Sequence, residues 1–415
     1  MVVERGKYKT NEEYLKGLKG ERIMTVKNKV DQNTIRRRGT GLRVLNAKKA
    51  YPGYTLFAPI TGKGDVFLID LEGKVVHQWK LAHPPGAYGY LLPNGNLFYN
   101  GKTKDNLDQV PWWFKGGVIQ EINPQGKVIW QAKQAFHHHD ARRLKNGNNI
   151  VLALEKVPST LVPKIQGGIP GTELNGEIFA DVIHEVNPEG KIIWSWHAYE
   201  HLDPAKDIIT ANDKREEWSH ANSVGELADG NFLLSFRNLS TVLIVDRKNG
   251  EIIWRLGPEA LSHQHYPNEL PNGNILIFDN GTSRGQIALN FSRVIEVNRK
   301  TKQIVWEYRD NPPHNFFSPY ISSAQRLPNG NTLITEGNYG RIFEVTQDKE
   351  IVWEYVNPYF GSQQVTKDTS LAVQGENNSV FRAFRYGLKD IPWLKSQTAQ
   401  ISVKKSKLKK KSKKS

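Results

Sequence analysis

The clearest regularity along the chain is a short apolar phrase that returns at every repeat. A polar turn, usually ending in Gly, is followed by a polar residue, two β-branched residues and Trp. It reads Gln125-Gly126-Lys127-Val128-Ile129-Trp130, Glu189-Gly190-Lys191-Ile192-Ile193-Trp194 and Asn249-Gly250-Glu251-Ile252-Ile253-Trp254. Without the Gly it returns as Lys302-Gln303-Ile304-Val305-Trp306 and Lys349-Glu350-Ile351-Val352-Trp353. The first copy, Glu72-Gly73-Lys74-Val75-Val76-His77, has His in the Trp slot and Trp79 two places on. The six slots, 77, 130, 194, 254, 306 and 353, lie 47 to 64 residues apart. A polar turn between runs of β-branched and aromatic residues predicts a hairpin. A second turn phrase precedes most copies: Leu92-Pro93-Asn94-Gly95-Asn96, Leu144-Lys145-Asn146-Gly147-Asn148, Leu227-Ala228-Asp229-Gly230-Asn231, Leu270-Pro271-Asn272-Gly273-Asn274 and Leu327-Pro328-Asn329-Gly330-Asn331.

Two hairpins per unit make four strands per unit, at the period of a propeller blade. Six units predict an all-β fold, a six-bladed β-propeller of four-stranded antiparallel blades over residues 51–390. An N-terminal arm, residues 1–50, precedes it, with a short helix over residues 11–18. A basic tail, residues 391–415, follows and is expected to be disordered. Helical solenoids are excluded, because no unit holds a long enough window of 3.6-residue periodicity. The run Phe381-Arg382-Ala383-Phe384-Arg385-Tyr386 is expected to close the ring by pairing near residues 51–70. The recurring Trp residues are expected to wedge adjacent blades together.

Composition changes this picture little. The 415 residues are 38% hydrophobic and include 16 Phe, 15 Tyr and 11 Trp, which fits a folded chain. Cys is absent, so disulfides, Cys-ligated zinc and thiol nucleophiles are excluded. Charge matters more. Eight Lys lie within residues 404–415, and without them the net charge falls from +15 to +7. A second basic cluster, Arg36-Arg37-Arg38 with Arg43, Lys48 and Lys49, precedes the repeats. The charge therefore sits in the flanks. Nucleic-acid binding is not expected, since no reading motif accompanies it; the tail is expected to make weak contacts with anionic surfaces. No apolar run has the length of a transmembrane segment or a signal-peptide core, which leads to the expectation of a cytoplasmic protein.

The histidines cluster. Counting back eight residues from the turn glycine gives His139, Asn222, His265 and Ser322 in units 3 to 6. Two residues earlier stand His137, His220, His263 and Tyr320. On a regular strand the two sets share a face. Seven residues after the glycine come Arg237 and Asn280, which a hairpin returns to the height of these slots. If this is the innermost strand of each blade, one mouth of the central channel carries imidazoles, a guanidinium and amides, with few carboxylates. That set suits an anion and the transfer of a sulfuryl or phosphoryl group: imidazole attacks as a neutral nucleophile, and guanidinium and amide hold the oxygens of the moving group. No P-loop or Gly-rich cradle argues for a nucleotide donor. A metal centre on His137, His139 and Asp140 needs ligands from other blades, and none is assigned.

Gly53-Tyr54-Thr55-Leu56-Phe57, His138-His139-Asp140, Ser219-His220-Ala221-Asn222-Ser223, Gln264-His265 and Phe278-Asp279-Asn280-Gly281 together resemble the arylsulfate sulfotransferase family, from about Tyr51 to Tyr386. The resemblance implies a six-bladed propeller that moves sulfate from a phenolic sulfate ester to a phenol, with no cofactor, through a sulfated histidine. Carried over, that histidine is His265. His220, Asn222 and Arg237 match anion-binding positions, and His139 or His138 matches a further active-site histidine. His139 is assigned to protonate or bind the departing phenolate. His138, Asn280 and His263 complete the expected substrate-binding set. The expected partners are a small phenolic sulfate donor and a phenol acceptor. Three departures from the family pattern are expected on this reading: no leader or extra N-terminal β-domain like those of well-characterised members, Tyr266-Pro267 after His265, and a basic tail without a counterpart. The alternative is a non-catalytic propeller, a scaffold or ligand-binding module that keeps the channel.

Overall fold

The computed structural model describes residues 39–103, 116–134, 136–284, 289–362 and 376–395. The expected helix over 11–18, the Arg36–Arg38 cluster and the lysine-rich run 404–415 lie outside the described residues. The repeats fold as six four-stranded antiparallel blades arranged as a β-propeller. Blade 1 orders Val380–Tyr386, Tyr54–Pro59, Asp65–Ile69 and Val75–Lys80 from the inside out; blade 2 orders Pro85–Leu91, Leu97–Lys102, Gly117–Ile122 and Val128–Lys133. Blades 3 and 4 begin with His137–Arg143 and Ala221–Glu226, and blades 5 and 6 with His265–Glu269 and Ser323–Arg326. These first strands touch one another around the ring and line its axis.

Closure follows the sequence expectation. Val380–Tyr386 pairs antiparallel with Tyr54–Pro59, matching Tyr54 with Tyr386 and Leu56 with Phe384. The last strand of the chain's repeats thus becomes the innermost strand of its first blade. The middle strands of blades 4 and 5 are apolar on both faces, as in Phe232-Leu233-Leu234 and Ile275-Leu276-Ile277, because a blade is covered by neighbours on both sides.

Indoles join the blades in a ring of hydrogen bonds, each Nε1–H reaching a turn carbonyl of the next blade. Trp79 donates to Asn123 O (3.0 Å), Trp130 to Pro188 O (2.5 Å) and Trp196 to Gly250 O (2.8 Å). Trp254 donates to Arg299 O (2.7 Å), Trp306 to Gln347 O (3.0 Å) and Trp353 back to Leu71 O (2.8 Å). In blades 1 and 3 the clasping indole therefore stands two residues beyond the repeat slot. Two residues on is the same face of a strand, so the geometry is kept.

The packing extends past both ends of the expected 51–390 domain. Gly41–Leu45 adds to the outer edge of blade 6, pairing with Ile351–Val356. Val352 is buried there, whereas Ile129, Ile193, Ile253 and Val305 on the other outer strands are about half exposed. At the other end Trp393 packs against His77 and Trp79 and donates to Gly95 O at 3.0 Å, filling the place left by the missing blade 1 Trp. Two excursions interrupt the repeats. One lies within blade 3 and one follows it, where Gly167–Ile169 and Ile209–Lys214 form a small parallel ladder. Among the described residues no helix is long and apolar enough to cross a membrane.

Candidate active site

The inner strands do not start as regular strands. Left-handed backbone occurs at His139 (φ 49°), His220 (φ 50°), His263 (φ 56°), Tyr266 (φ 48°), Ile321 (φ 54°) and Ser322 (φ 94°). The inner strands of blades 3, 4 and 5 also carry extra residues against their partners: two in blade 3, where residues 138–140 stand opposite Leu152, and one each in blades 4 and 5, between Ala221 and Ser223 and between His265 and Asn268. These are β-bulges, which re-aim side chains and end simple alternation. The expectation that His137 and His139 share a face is thereby corrected. The His137 ring is turned to the blade 2 backbone and accepts the Gly117 N–H at 3.2 Å. His138 and His139 meet instead, their Nδ1 atoms 2.7 Å apart.

His139, His220 and His265 converge. The His139 ring stands 4.9 Å from His220 and 5.9 Å from Phe381, edge to face or tilted, and Phe381 lies 6.3 Å from His265. All three imidazoles are at most 5% exposed. Burial, together with the neighbouring His220, His138, His265 and Arg382, holds His139 well below the ordinary imidazole range. Burial chiefly does the same for His265, with Arg237, His220 and Arg382 adding to it. Both rings are therefore neutral at pH 7.

Asn280, with the His263 carbonyl 3.1 Å from Nδ1, sets the tautomer of His265. Its Nδ2 donates to Ser318 O (2.8 Å) and Ile321 O (2.9 Å), so its Oδ1 is the atom that faces His265 Nδ1, at 2.8 Å. Nδ1 must carry the proton, and Nε2 keeps the lone pair. The Ile321 N–H approaches that lone pair at 3.2 Å, from a turn whose left-handed Ile321-Ser322 backbone aims it there.

The remaining expected residues have prior attachments. Arg237 stands opposite His220, its N–H donating to His220 O at 3.0 Å, and its Nη1 binds Asp213 (2.8 Å) and Asn238 Oδ1 (3.0 Å). Nε and Nη2 lie outside both contacts. Asp213 also accepts from His263 Nε2 at 2.6 Å. These two partners hold its carboxyl down at about 2 despite burial. Asn222 donates Nδ2 to Gln264 O at 2.8 Å, bracing the strand that carries His265. His220 Nδ1 is 2.8 Å from Glu217 Oε2.

Carboxylates are thus not few, which corrects the sequence expectation: Asp140, Asp181, Asp213 and Glu217 back the site. Asp213 and Glu217 arrive on the excursion after blade 3, which no turn-glycine alignment registers. The sequence signal was the gap between turn glycines: Gly147 and Gly230 stand 83 residues apart, the widest interval in that series. Arg382 was also missed as a site residue. Fully buried on the closing strand, it donates Nη1 to Asp140 (2.8 Å) and Nη2 to Asn222 O (2.7 Å), under the three histidines. Asp140 further accepts from the Tyr88 hydroxyl and the Val224 N–H (3.1 Å). Among the described residues no group of three or more His, Asp or Glu is arranged to hold a metal ion.

The model of the family "Arylsulfotransferase (ASST)" matches residues 92–358, well over half of the chain. The chain belongs to the arylsulfotransferase family. No curated protein matches the sequence. A protein of unknown function from Bacteroides caccae is similar in structure, with TM-score 0.51 and 13% identity over 81% of this chain and 99% of that one. A virginiamycin B lyase from Staphylococcus aureus gives TM-score 0.41 at 11% identity, covering 79% and 90%. At 13% identity the likeness to the Bacteroides caccae protein shows the fold alone. Family membership supports arylsulfotransferase activity in general.

Proposed function

We propose that this arylsulfotransferase transfers a sulfuryl group from a phenolic sulfate ester to a phenol, without a nucleotide donor, through a sulfated His265. The observation that carries the reading is the Asn280–His265 contact, which presents Nε2 as an unprotonated nitrogen in a buried, neutral imidazole. Nε2 attacks sulfur, the S–O bond to the aryl group breaks, and its electron pair leaves with the phenolate. Phenols have pKa values near about 10, so the leaving group is far better than an alkoxide. Charge spreads over three sulfuryl oxygens in a loose transfer state, as in phosphoryl transfer. The Nε and Nη2 hydrogens of Arg237, with His220, receive that charge. The Ile321 N–H, released from Nε2 once the N–S bond forms, is a further donor beside it. An acceptor phenol then attacks the same sulfur and returns the electron pair to Nε2.

The test is release of 4-nitrophenol from 4-nitrophenyl sulfate by the full chain, with and without a panel of phenols. Donor alone, followed by peptide mass spectrometry at alkaline pH, should place one sulfuryl group on the peptide containing His265, and His265→Ala should abolish turnover in a folded protein. A label on His220 or His139, or full activity in His265→Ala, removes the assignment. No acceptor-dependent release with any phenol favours the non-catalytic propeller.

A further inference from the structure

Three carboxylate–imidazole contacts back the site, and one of them continues into a second imidazole. Asp181 Oδ2 accepts from Ser219 Oγ at 2.5 Å and from the Ala221 N–H at 2.8 Å, which fixes the carboxylate. Its Oδ1 lies 3.0 Å from His138 Nε2, off the line of the N–H, so the contact is a charge beside an imidazole. On the far side of the same ring, the Nδ1 atoms of His138 and His139 are 2.7 Å apart. Two nitrogens at that distance hold one proton between them, since two N–H groups or two lone pairs would repel. The carboxylate decides which owns it: a proton on His138 Nε2 is favoured by Asp181, so His138 Nδ1 accepts and His139 Nδ1 donates. His139 Nε2 is then the nitrogen with the lone pair. Asp181, His138 and His139 are each at most 5% exposed.

We propose that Asp181, His138 and His139 form a proton relay serving both halves of the transfer reaction described under Proposed function, on which this inference rests. His139 Nε2 exchanges the proton with the phenols; His138 and Asp181 are positioning residues. The proton count closes. Binding of a sulfate ester, which brings a negative charge, draws one proton from water onto His139 Nε2. As the S–O bond breaks, that proton passes to the departing phenolate, and the relay returns to its neutral form. The acceptor phenol gives its proton to His139 Nε2 as its oxygen attacks the sulfuryl group on His265. The protonated relay then meets the next donor, so one proton circulates.

Other charges face His139 besides the relay. Asp140 is its neighbour on the strand, His220 with Glu217 behind it approaches from blade 4, His265 from blade 5 and Arg382 from the closing strand. The cationic members of that set and burial oppose a charge on His139; Asp181 and the bound anion favour it.

The test compares two donors in single-turnover phenol release. 4-Nitrophenyl sulfate has a leaving group that departs unaided, whereas phenyl sulfate needs a proton. General acid catalysis contributes on the order of 10²-fold or more. Asp181→Asn, which preserves shape but not charge, should slow phenyl sulfate about 100-fold and 4-nitrophenyl sulfate roughly tenfold or less, and His138→Gln should do the same. Equal losses on both donors, or no loss on phenyl sulfate, overturn the relay. Histidine-selective ¹⁵N NMR of the unmutated chain should find His139 protonated at Nδ1 and His138 at Nε2, with the pattern altered in Asp181→Asn. His139 protonated at Nε2 at rest overturns the relay by itself, including when a variant fails to fold. If the unmutated chain releases no phenol from either donor, the sulfotransfer reading falls and takes the relay's catalytic role with it, whatever the tautomers.

Discussion

Asn280→Ala isolates the feature that makes His265 a nucleophile. The side chain makes three buried hydrogen bonds: it accepts from His265 Nδ1 at 2.8 Å and donates to Ser318 O at 2.8 Å and Ile321 O at 2.9 Å. At about 1 kcal/mol net for each, and with two carbonyls losing a buried donor, the fold should lose about 3 kcal/mol. The rate should fall further than one neutral hydrogen bond explains. Without Oδ1 the Nδ1 proton keeps only the longer contact to His263 O at 3.1 Å, so the tautomer that leaves Nε2, the attacking atom, unprotonated is held less firmly and the ring is freer to turn in its pocket. The Ile321–Ser322 turn that Asn280 also holds would move with it. We expect about 100-fold slower sulfation, equivalent to about 2.7 kcal/mol of transition-state stabilisation. The assay is the burst of 4-nitrophenol from 4-nitrophenyl sulfate without acceptor, read beside urea unfolding, so that the two losses are measured separately. A folded Asn280→Ala protein with an undiminished burst rate would refute the claim that this contact sets the reactive tautomer.

Two further expectations concern the fold and its response to acid. Trp196→Phe should cost about 1–2 kcal/mol, because the Nε1–H bond to Gly250 O and a buried indole are lost, while Trp194→Phe, at the repeat slot but without that bond, should cost less than about 0.5 kcal/mol; thermal unfolding of the pair checks which indole clasps blade 3 to blade 4, and equal costs contradict the assignment. His137 is pushed down to about 3 and His184 to about 4, mainly by burial, and His139, His263 and His265 are lowered as well. Each binds its proton more readily unfolded, near about 6.5, so its contribution is complete above that pH and is lost as pH falls. Asp213, held at about 2, also favours the folded state above its unfolded value and loses that contribution as pH falls further. Stability from urea titrations should therefore be level near pH 7–8 and fall steadily below about 6.5; a maximum near pH 5 would contradict the neutral buried imidazoles.

Much of the architecture is legible in the chain because it is local. Asn-Gly and Asp-Gly turns set hairpins, a period of two sets the faces, and the count of Trp phrases sets the number of blades. Ring closure by Val380–Tyr386 follows because an inner strand is otherwise missing from the first unit. The placement of His139, His220, His265, Arg237 and Asn280 near one end of the channel follows from the same turn arithmetic. What side chains do there was decided by the tertiary structure. Left-handed residues and bulges at the starts of the inner strands break the alternation on which face assignments rest, so His138 meets His139 while His137 turns away. Asp213 and Glu217 come from an excursion outside the repeat, and Asp140 finds its guanidinium in Arg382, 242 residues on. A buried charge must be paired wherever in the chain its partner lies. Turn chemistry acts over a few residues and leaves a pattern; ion pairing across a closed ring leaves none, and only the folded ring brings those charges together.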